Sequence, residues 1–400
     1  MTDRTRDRER LADLLVGFGT NLQPGQIVAV TAYLGMEELA RDVVRAAYSR
    51  GAKWVDVFWW DQLVKRARLE LADESTLDYV PPWIGQRLRW LSEERAARVS
   101  LTGTNAEVFG GLDPARTGRD LLPYVAEVPQ IVNERTTNWT AGPCPNPGWA
   151  RRVHPDLPPD EALDRLWDDI VHVCRLDADD PAKAWRTRMT AVKAAAARLT
   201  ERRFDALHLR GPGTDLRIGL MPSSRWLAAD FETIDGIVHY PNLPTEEVFT
   251  TPDPERVDGH VVATMPLEMY GSFVSGIRIG FEGGGAVRID ADQGADALRA
   301  AVGRDDGASR LGEIALVDRE GRIGPLGTVF YETLLDENAA SHIALGNAYT
   351  FPLEDEADRA RANRSGIHVD FMIGSNEVDV DGITRDGDTV PVLRGGSWQI

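Results

Sequence analysis

The stretch QIVAVTAYLGMEELARDVVRAAYSRGAKWVDVFWW, residues 26–60, decides the fold of the first half of the chain. Its two ends, QIVAVTA (26–32) and KWVDVFWW (53–60), are short apolar runs that predict buried strands. The segment between them, MEELARDVVRAAYSRGA (36–52), predicts a helix that stops near Gly51. A strand, a helix and a strand in this order predict two parallel strands joined by a crossover helix.

The alternation of helix and strand continues on both sides of this stretch. Before it, apolar residues between Leu11 and Phe18 recur at helical spacing, and after it a helix-like segment (84–97) leads into the strand RVSLTGT (98–104). We therefore expect an α/β N-terminal domain in which helices flank a parallel sheet. The turn after the first strand, YLGMEE (33–38), has neither a GxGxxG motif nor a P-loop lysine, which argues against nucleotide binding.

The sequence changes character in its middle. The segment NWTAGPCPNPGWARRVHPDLP (138–158) is dense in Pro, Gly and Trp and predicts an ordered loop, and two amphipathic helices follow it. From FDALHLRGPGTDLRIGLMP (204–222) onward, short apolar runs alternate with turns, as in antiparallel hairpins. The predicted organisation is an N-terminal α/β domain (1–203) and a C-terminal α+β domain rich in antiparallel strands (204–400).

Composition argues against some classes of binding partner and indicates the cellular compartment. The formal net charge of −18 argues against nucleic acid and anionic membranes as partners, because both would repel the protein. The N-terminus lacks the apolar run of a signal peptide, and the chain contains no stretch of about 18 apolar residues. Two cysteines do not make a disulfide framework. We expect a cytoplasmic protein.

The C-terminal half carries the candidate chemistry, beginning with His368 and Asp370 in GIHVDFMIG (366–374). In a strand, residues i and i+2 point to the same face, so the imidazole and the carboxylate would emerge side by side. Polar groups within an apolar strand need a partner or a metal ion. A His–Asp hydrogen bond inside the core would satisfy the same pattern.

Glutamates begin two other apolar runs. Glu313 opens the strand-like EIALV, and Glu246 and Glu247 precede Val-Phe in NLPTEEVFTTP (242–252). Adjacent residues of an extended chain face opposite ways, so only one of Glu246 and Glu247 reaches a shared site. Taken singly, each glutamate also fits a solvated strand end.

A third segment, FYETLLDENAASHIALGNAY (330–349), supplies Glu337, His342 and Tyr349. The spacing of five between Glu337 and His342 indicates a turn-rich segment around a site, or the end of a surface helix. The phenol of Tyr349 could donate a hydrogen bond to a developing oxyanion, or it could be an ordinary half-buried tyrosine.

Considered together, these residues point to a metal centre. Carboxylates and imidazoles that converge from separate elements, with no cysteine among them, suit Zn, Mn or Co. A pair of such ions is typical of hydrolases.

Four segments carry a resemblance to a known family: NLPTEEVFTTP, GEIALV, FYETLLDENAASHIALGNAY and HVDFMIGSNEVDVDGITRDGDTVPVLRGGSW. They resemble the M29 family of metallo-aminopeptidases, the aminopeptidase T type. More loosely, LHLRGPGTDLRIGL and WTAGPCPNPGWA do so too, so that the resemblance covers most of residues 130–400. The N-terminal half is similar only in its order of helices and strands.

The resemblance implies a function and a set of roles. It implies two divalent ions, a short peptide as substrate, removal of the N-terminal residue, and a homodimer whose active sites face an enclosed cavity. Tyr349 falls at the position of a catalytic tyrosine, and Glu337 would be a further ligand or the general base. The implied metal ligands are Glu247, Glu313, His342, His368 and Asp370, and none of the expected ligands is replaced in this sequence.

Two other functions fit parts of the pattern. A mononuclear non-haem iron dioxygenase acting on dihydroxypyridines has a similar scaffold, but with a reduced ligand set around one iron. A non-catalytic binder of metal or peptide would need no turnover at all. Retention of all the carboxylates favours two metal ions and hence the aminopeptidase.

Overall fold

The computed structural model describes residues 3–400 with the exception of 104, 105, 121, 124, 126, 229, 270 and 271. This part of the chain forms two compact units. The first comprises the described residues of 1–187 and 229–245, and the second those of 188–228 and 246–400. The division into folding domains after residue 203 stays a prediction.

The helices and strands are numbered here in chain order. The α-helices of the described residues are α1 (Thr5–Leu14), α2 (Glu37–Ser49), α3 (Gln62–Leu71), α4 (Pro82–Glu93), α5 (Pro114–Arg119), α6 (Glu127–Glu134), α7 (Pro147–Val153), α8 (Pro159–Val173), α9 (Pro181–Arg202), α10 (Ala295–Val302), α11 (Thr333–Asp336) and α12 (Glu356–Arg361). The strands are β1 (Ile27–Tyr33), β2 (Trp54–Trp60), β3 (Ala97–Thr102), β4 (Trp139–Pro143), β5 (Ala206–Gly211), β6 (Thr214–Leu220), β7 (Leu227–Ala228), β8 (Phe231–Glu232), β9 (Val238–His239), β10 (Glu247–Thr250), β11 (Pro252–Val262), β12 (Leu267–Met269), β13 (Ser272–Val274), β14 (Arg278–Glu282), β15 (Gly285–Asp290), β16 (Leu311–Val317), β17 (His342–Gly346), β18 (His368–Met372), β19 (Asp379–Ile383), β20 (Thr389–Arg394) and β21 (Ser397–Trp398).

The first unit contains the predicted parallel sheet. Its four strands lie in the order β2-β1-β3-β4, and each neighbouring pair is parallel. Helix α2 joins β1 to β2, and Gly51 just after it adopts φ 85°, a left-handed conformation that glycine tolerates and that ends the helix. The βαβ reading of residues 26–60 is therefore confirmed. Thr104, the last residue of the predicted strand 98–104, lies outside the described residues.

The loop predicted for residues 138–158 is wrong in part. Its first residues form β4, the fourth strand of the parallel sheet, and Asn146 caps the short helix α7 by accepting a hydrogen bond from the Trp149 amide at 3.0 Å. Glycine and proline dominate the composition, but Gly142 lies against Leu15, where a β-carbon would come within 2.3 Å of that side chain. The glycine is therefore needed for close packing, not for a turn.

The second unit is built from antiparallel sheets, as predicted. An eight-stranded sheet has the order β15-β14-β11-β6-β5-β19-β20-β21, and a five-stranded sheet has the order β18-β17-β16-β10-β7. In the five-stranded sheet, β16 and β17 are buried along their whole length. Polar side chains on such strands need a partner, because burial without one is costly. The predicted class, a mixed α/β fold with a parallel sheet and antiparallel sheets, is confirmed.

None of the helices in the described part of the chain combines the length and the apolar character needed to cross a membrane.

Candidate metal centre

The side chains of the candidate site emerge from one face of the five-stranded sheet. Glu247 pairs with Val317, and Ala315, two residues from Val317, pairs with His342. Residues that pair across antiparallel strands share a face, and so do residues two apart in one strand. The same reasoning places Glu313 on this face, next to Ala344.

Strand β18 adds the last two residues of this face. Asp370 pairs with Ala344, and His368 pairs with Gly346, so the expectation that both lie on one strand face is confirmed. Residues 337–340 form the expected turn-rich segment between α11 and β17, and His342 itself opens β17 instead of ending a surface helix. Glu337 reaches the cluster from the end of α11, where it is the C-cap residue.

Glu313 lies between the two imidazoles. Its Oε1 atom is 3.9 Å from Nε2 of His342, and its Oε2 atom is 3.7 Å from Nε2 of His368. Each imidazole has a second carboxylate on its other side: Glu247 Oε2 lies 3.2 Å from His342 Nε2, and Asp370 Oδ1 lies 3.3 Å from His368 Nε2. The Glu313 carboxylate thus faces both imidazoles.

Two groups of three side chains bring their ligand atoms within 4.8 Å of one another in the described residues. The first consists of Glu247, Glu313 and His342, and the second of Glu337, His342 and Asp370. Groups of oxygen and nitrogen atoms at this separation can converge on a divalent ion.

In both histidines, Nδ1 is hydrogen-bonded to a backbone carbonyl. Nδ1 of His342 lies 3.2 Å from the Ala340 carbonyl, and Nδ1 of His368 lies 2.7 Å from the Asn347 carbonyl. Because a carbonyl only accepts, each Nδ1 carries the proton and donates it. In a neutral ring this leaves the lone pair on Nε2, which faces the carboxylates. The same arrangement orients histidine ligands in metal sites.

The cluster contains a buried carboxylate oxygen with no hydrogen-bond partner among the described residues, Oε2 of Glu247. The 3.2 Å contact with His342 Nε2 is close enough for ion pairing but lacks hydrogen-bond geometry. Glu247 is 6 % exposed. A buried carboxylate left in this way is costly unless a cation satisfies it. The donor set therefore fits a divalent ion.

The carboxyl groups of this cluster disfavour one another's ionisation. Burial, and then the charges of Asp370 and Glu247, raise the pKa of Glu313 to about 8. Burial and the same two neighbours raise the pKa of Glu337 well above its usual value. A cation bound among these groups would reverse the effect, because it favours the ionised form of each carboxyl.

The same carboxylates favour the protonated, charged form of the imidazoles. Burial lowers the pKa of His342, but Glu247 and the other carboxylates outweigh it and raise the pKa to about 9. The side chain of His368 is 30% exposed, and its partial burial is outweighed by Asp370 and Glu313, so that its pKa rises to about 10. For Asp370, burial is outweighed by His368 and His342, which lower the pKa. Without a cation, protonated imidazoles thus balance the carboxylates.

Tyr349 lies beside this cluster. Its ring centroid is 5.9 Å from that of His368, and its own ring is half-buried. Phe249 and Phe351 pack against it, at 6.1 and 5.1 Å between ring centroids. The aromatic contacts fix the ring plane next to a histidine of the cluster.

Sequence reasoning missed a buried arginine behind the site. Arg188 of α9 binds Glu246 through Nε and forms a fork with Asp318, whose two oxygens lie 3.2 and 2.9 Å from Nη1 and Nη2. The sequence could have indicated this burial. Arg188 lies three residues after Trp185 and four before Val192, so it falls within the apolar stripe of a helix.

Comparisons with known proteins agree along the whole chain. The profile of the family described as thermophilic metalloprotease (M29) matches residues 5–398. The chain is 43% identical to aminopeptidase T of Thermus aquaticus over 404 residues, which covers 99% of each protein. It is 38% identical to aminopeptidase PepS of Streptococcus thermophilus over 403 residues and 98% of each protein.

A solved structure gives the same result for the fold. Wild-type AmpT from Thermus thermophilus superposes with a TM-score of 0.91 at 42% identity, covering 99% of this chain and 100% of that one. The predicted resemblance is therefore confirmed, and the chain belongs to the M29 family of thermophilic metalloproteases.

Proposed function

We propose that this protein removes the N-terminal residue from short peptides, using two divalent ions held by the carboxylate and imidazole cluster of the five-stranded sheet. The broader class, a metal-dependent aminopeptidase, is what the family and its relatives named aminopeptidase support. One observation carries the two-ion proposal: the two oxygens of Glu313 face two different imidazoles, as expected of a carboxylate shared between two ions. None of the relatives described above is named a dioxygenase.

The charge of the cluster supports two ions over one. Glu247, Glu313, Glu337 and Asp370 carry one negative charge each when ionised. Two divalent cations would neutralise them, whereas a single ferrous ion would leave two negative charges to be balanced by protons on the carboxyl groups or the imidazoles. Uncompensated buried charge is strongly destabilising.

The proposed ligands of the two ions are the carboxylates and imidazoles of the cluster. We assign Glu247, Glu313, His342, His368 and Asp370 as the residues that hold the pair, and Glu337 as a further ligand or the general base. Mixed oxygen and nitrogen donors without sulfur suit Zn, Co or Mn. When bound, such a pair polarises the scissile carbonyl and lowers the pKa of a nearby water toward about 7.

The protein's own groups would perform the remaining steps. Glu337 is partly buried and its pKa is raised, so it suits a group that takes a proton from the attacking water and passes it to the leaving amine. The hydroxyl of Tyr349, beside His368, would donate a hydrogen bond to the oxyanion of the tetrahedral intermediate. A carboxylate of the cluster or the second ion would bind the free α-amine of the substrate, which would explain selection of the chain terminus.

We further propose a cytoplasmic homodimer. The two cysteines, Cys144 and Cys174, are buried and free, as expected in a reducing compartment. The family resemblance implies the dimer, and light scattering during gel filtration measures it directly.

A panel of aminoacyl p-nitroanilides tests the proposed reaction, with metal-stripped protein compared with protein reloaded with Zn²⁺, Co²⁺ or Mn²⁺. The matched control is the N-acetyl form of each substrate, which has the same scissile bond but no α-amine. We expect turnover only after reloading and only with the free amine. Equal cleavage of the acetylated substrates would contradict the aminopeptidase, and inactivity under every metal would contradict metal-dependent hydrolysis of these substrates.

A further inference from the structure

Behind the metal centre lies a buried ion cluster that the proposed chemistry does not use. Arg188 of α9 is paired with Glu246 and with Asp318, and the exposed fractions of the three side chains are 7%, 0% and 5%. We call these three residues the Arg188 clamp.

The clamp sits where two strands of the site meet. Glu246 immediately precedes β10, and Asp318 immediately follows β16. Because Glu247 pairs with Val317 in antiparallel register, Glu246 and Asp318 are the next cross-strand neighbours, on the opposite face of the sheet from Glu247. Two carboxylates opposite each other on paired strands repel, and more so when buried. The guanidinium of Arg188 bridges them.

Every oxygen of Asp318 is engaged from further directions. The Trp398 indole donates to Oδ2 at 2.7 Å, and the Glu320 amide donates to Oδ1 at 2.8 Å. This side of the clamp is therefore fixed to the end of the chain and to the turn after β16. Arg188 transmits that fixed position to Glu246, because one guanidinium binds both carboxylates.

Glu246 connects the clamp to the metal centre through Asn338. The amide of Glu246 donates to Oδ1 of Asn338 at 2.7 Å, and Nδ2 of Asn338 lies 3.5 Å from Oε1 of Glu337. Asn338 is 1% exposed. The backbone just before Glu247 is thus held by the Arg188 clamp on one side and by Asn338 on the other. A shift of this backbone would move the Glu247 carboxylate, whose Oε2 accepts no hydrogen bond from the described part of the chain.

We propose that Arg188 is a positioning residue for the metal centre: by bridging Glu246 and Asp318 it fixes the start of β10 and so the direction of the Glu247 carboxylate. The inference rests on the proposed function, since it takes Glu247 as a metal ligand. Groups that orient a ligand from outside the coordination sphere change metal affinity about 10- to 100-fold when they are lost.

The test measures Zn²⁺ affinity by competition with a chromophoric chelator, on metal-stripped full-length protein well below its unfolding temperature. Arg188→Met leaves the two carboxylates facing each other, and we expect Zn²⁺ affinity about 10- to 100-fold below wild type. Combining Arg188→Met with Glu246→Gln and Asp318→Asn removes the repulsion, and we expect most of the lost affinity to return. Arg198→Met is the matched control, because it makes the same change at an exposed position of the same helix.

A second variant covers the case in which Arg188→Met does not fold. Arg188→Lys keeps the charge but loses the fork to Asp318, and we expect a smaller loss of affinity together with a shifted visible absorption spectrum of the Co²⁺-loaded protein. Wild-type affinity and an unchanged cobalt spectrum in the Arg188 variants would overturn the inference. A wild-type protein that binds none of Zn²⁺, Co²⁺ and Mn²⁺ would instead overturn the proposed function, and the two failures are distinguishable.

Discussion

Glu246 and Glu247 are adjacent in the sequence, yet their carboxylates lie in different environments on opposite faces of one strand. Glu246 is paired with Arg188, whereas Oε2 of Glu247 has no hydrogen-bond partner among the described residues and faces His342 at 3.2 Å. The Glu246 carboxylate is satisfied by an arginine, whereas the Glu247 carboxylate faces an imidazole and keeps one oxygen available to a cation.

This difference predicts opposite effects for two conservative substitutions. Glu246→Gln weakens a buried ion pair, so we expect it to lower the free energy of unfolding of the metal-free protein by about 1–3 kcal/mol. Glu247→Gln removes one of several mutually repelling carboxylates, so we expect no loss of stability in the metal-free protein but a large loss of metal affinity. Urea unfolding of both metal-free variants makes the comparison. Equal destabilisation by the two substitutions would contradict the assignment.

Tyr349 should matter for turnover and not for metal binding. Tyr349→Phe keeps the ring that packs against His368 and Phe351 but removes the hydroxyl. Loss of one oxyanion donor lowers kcat about 10²- to 10³-fold. We expect that decrease with unchanged metal content, measured by steady-state kinetics and by elemental analysis of the same samples. The control is Tyr79→Phe at an exposed tyrosine; a kcat for Tyr349→Phe equal to that of this control would exclude the hydroxyl from the mechanism.

Metal binding should release protons near neutral pH. In the metal-free protein the pKa of Glu313 is raised to about 8, that of His342 to about 9 and that of His368 to about 10, so all three are mainly protonated at pH 7. Ligands must lose these protons, so the apparent metal affinity rises as the pH rises from 6 to 9. Calorimetric titration with Zn²⁺ in buffers of different ionisation enthalpy counts the protons. A heat of binding that is the same in every buffer would show that none is released.

Position 344, which lies between the proposed ligands Glu313 and Asp370, should tolerate only a small side chain. Ala344 is fully buried and pairs with Glu313 on one side and with Asp370 on the other. Ala344→Val would place two methyl groups between these carboxylates, where overpacking costs about 1–3 kcal/mol and an ion has less room. We expect a folded protein with much weaker metal binding, and Ala344→Gly as the control with near-normal binding. Normal Zn²⁺ affinity in Ala344→Val would place the ions elsewhere.

Local pattern predicted much of this fold and site. The period of two along β18 places His368 and Asp370 on one face whatever the rest of the chain does, and the same rule separates Glu246 from Glu247. The helix and strand order of residues 26–60 likewise predicts the parallel sheet, because crossover connections allow few other arrangements.

Features that depend on distant partners could not be predicted in this way. Strand β4 belongs to a segment dense in Gly and Pro, and it is a strand because β3 pairs with it along its length. His342 lies in a fully buried strand, and the turn-rich residues before it do not show where that strand begins. The position of Glu313 between two imidazoles follows from the register of three strands, which no single segment encodes.

The most direct test of the central claim, that two ions held by this cluster support hydrolysis, is a stoichiometric titration. Metal-stripped protein is titrated with Co²⁺ while the hydrolysis of leucine p-nitroanilide and the visible cobalt spectrum are followed together. The account predicts that activity rises until two equivalents per chain are bound and that Glu313→Ala abolishes it without unfolding the protein. Full activity at one equivalent, or unimpaired activity of Glu313→Ala, would contradict it.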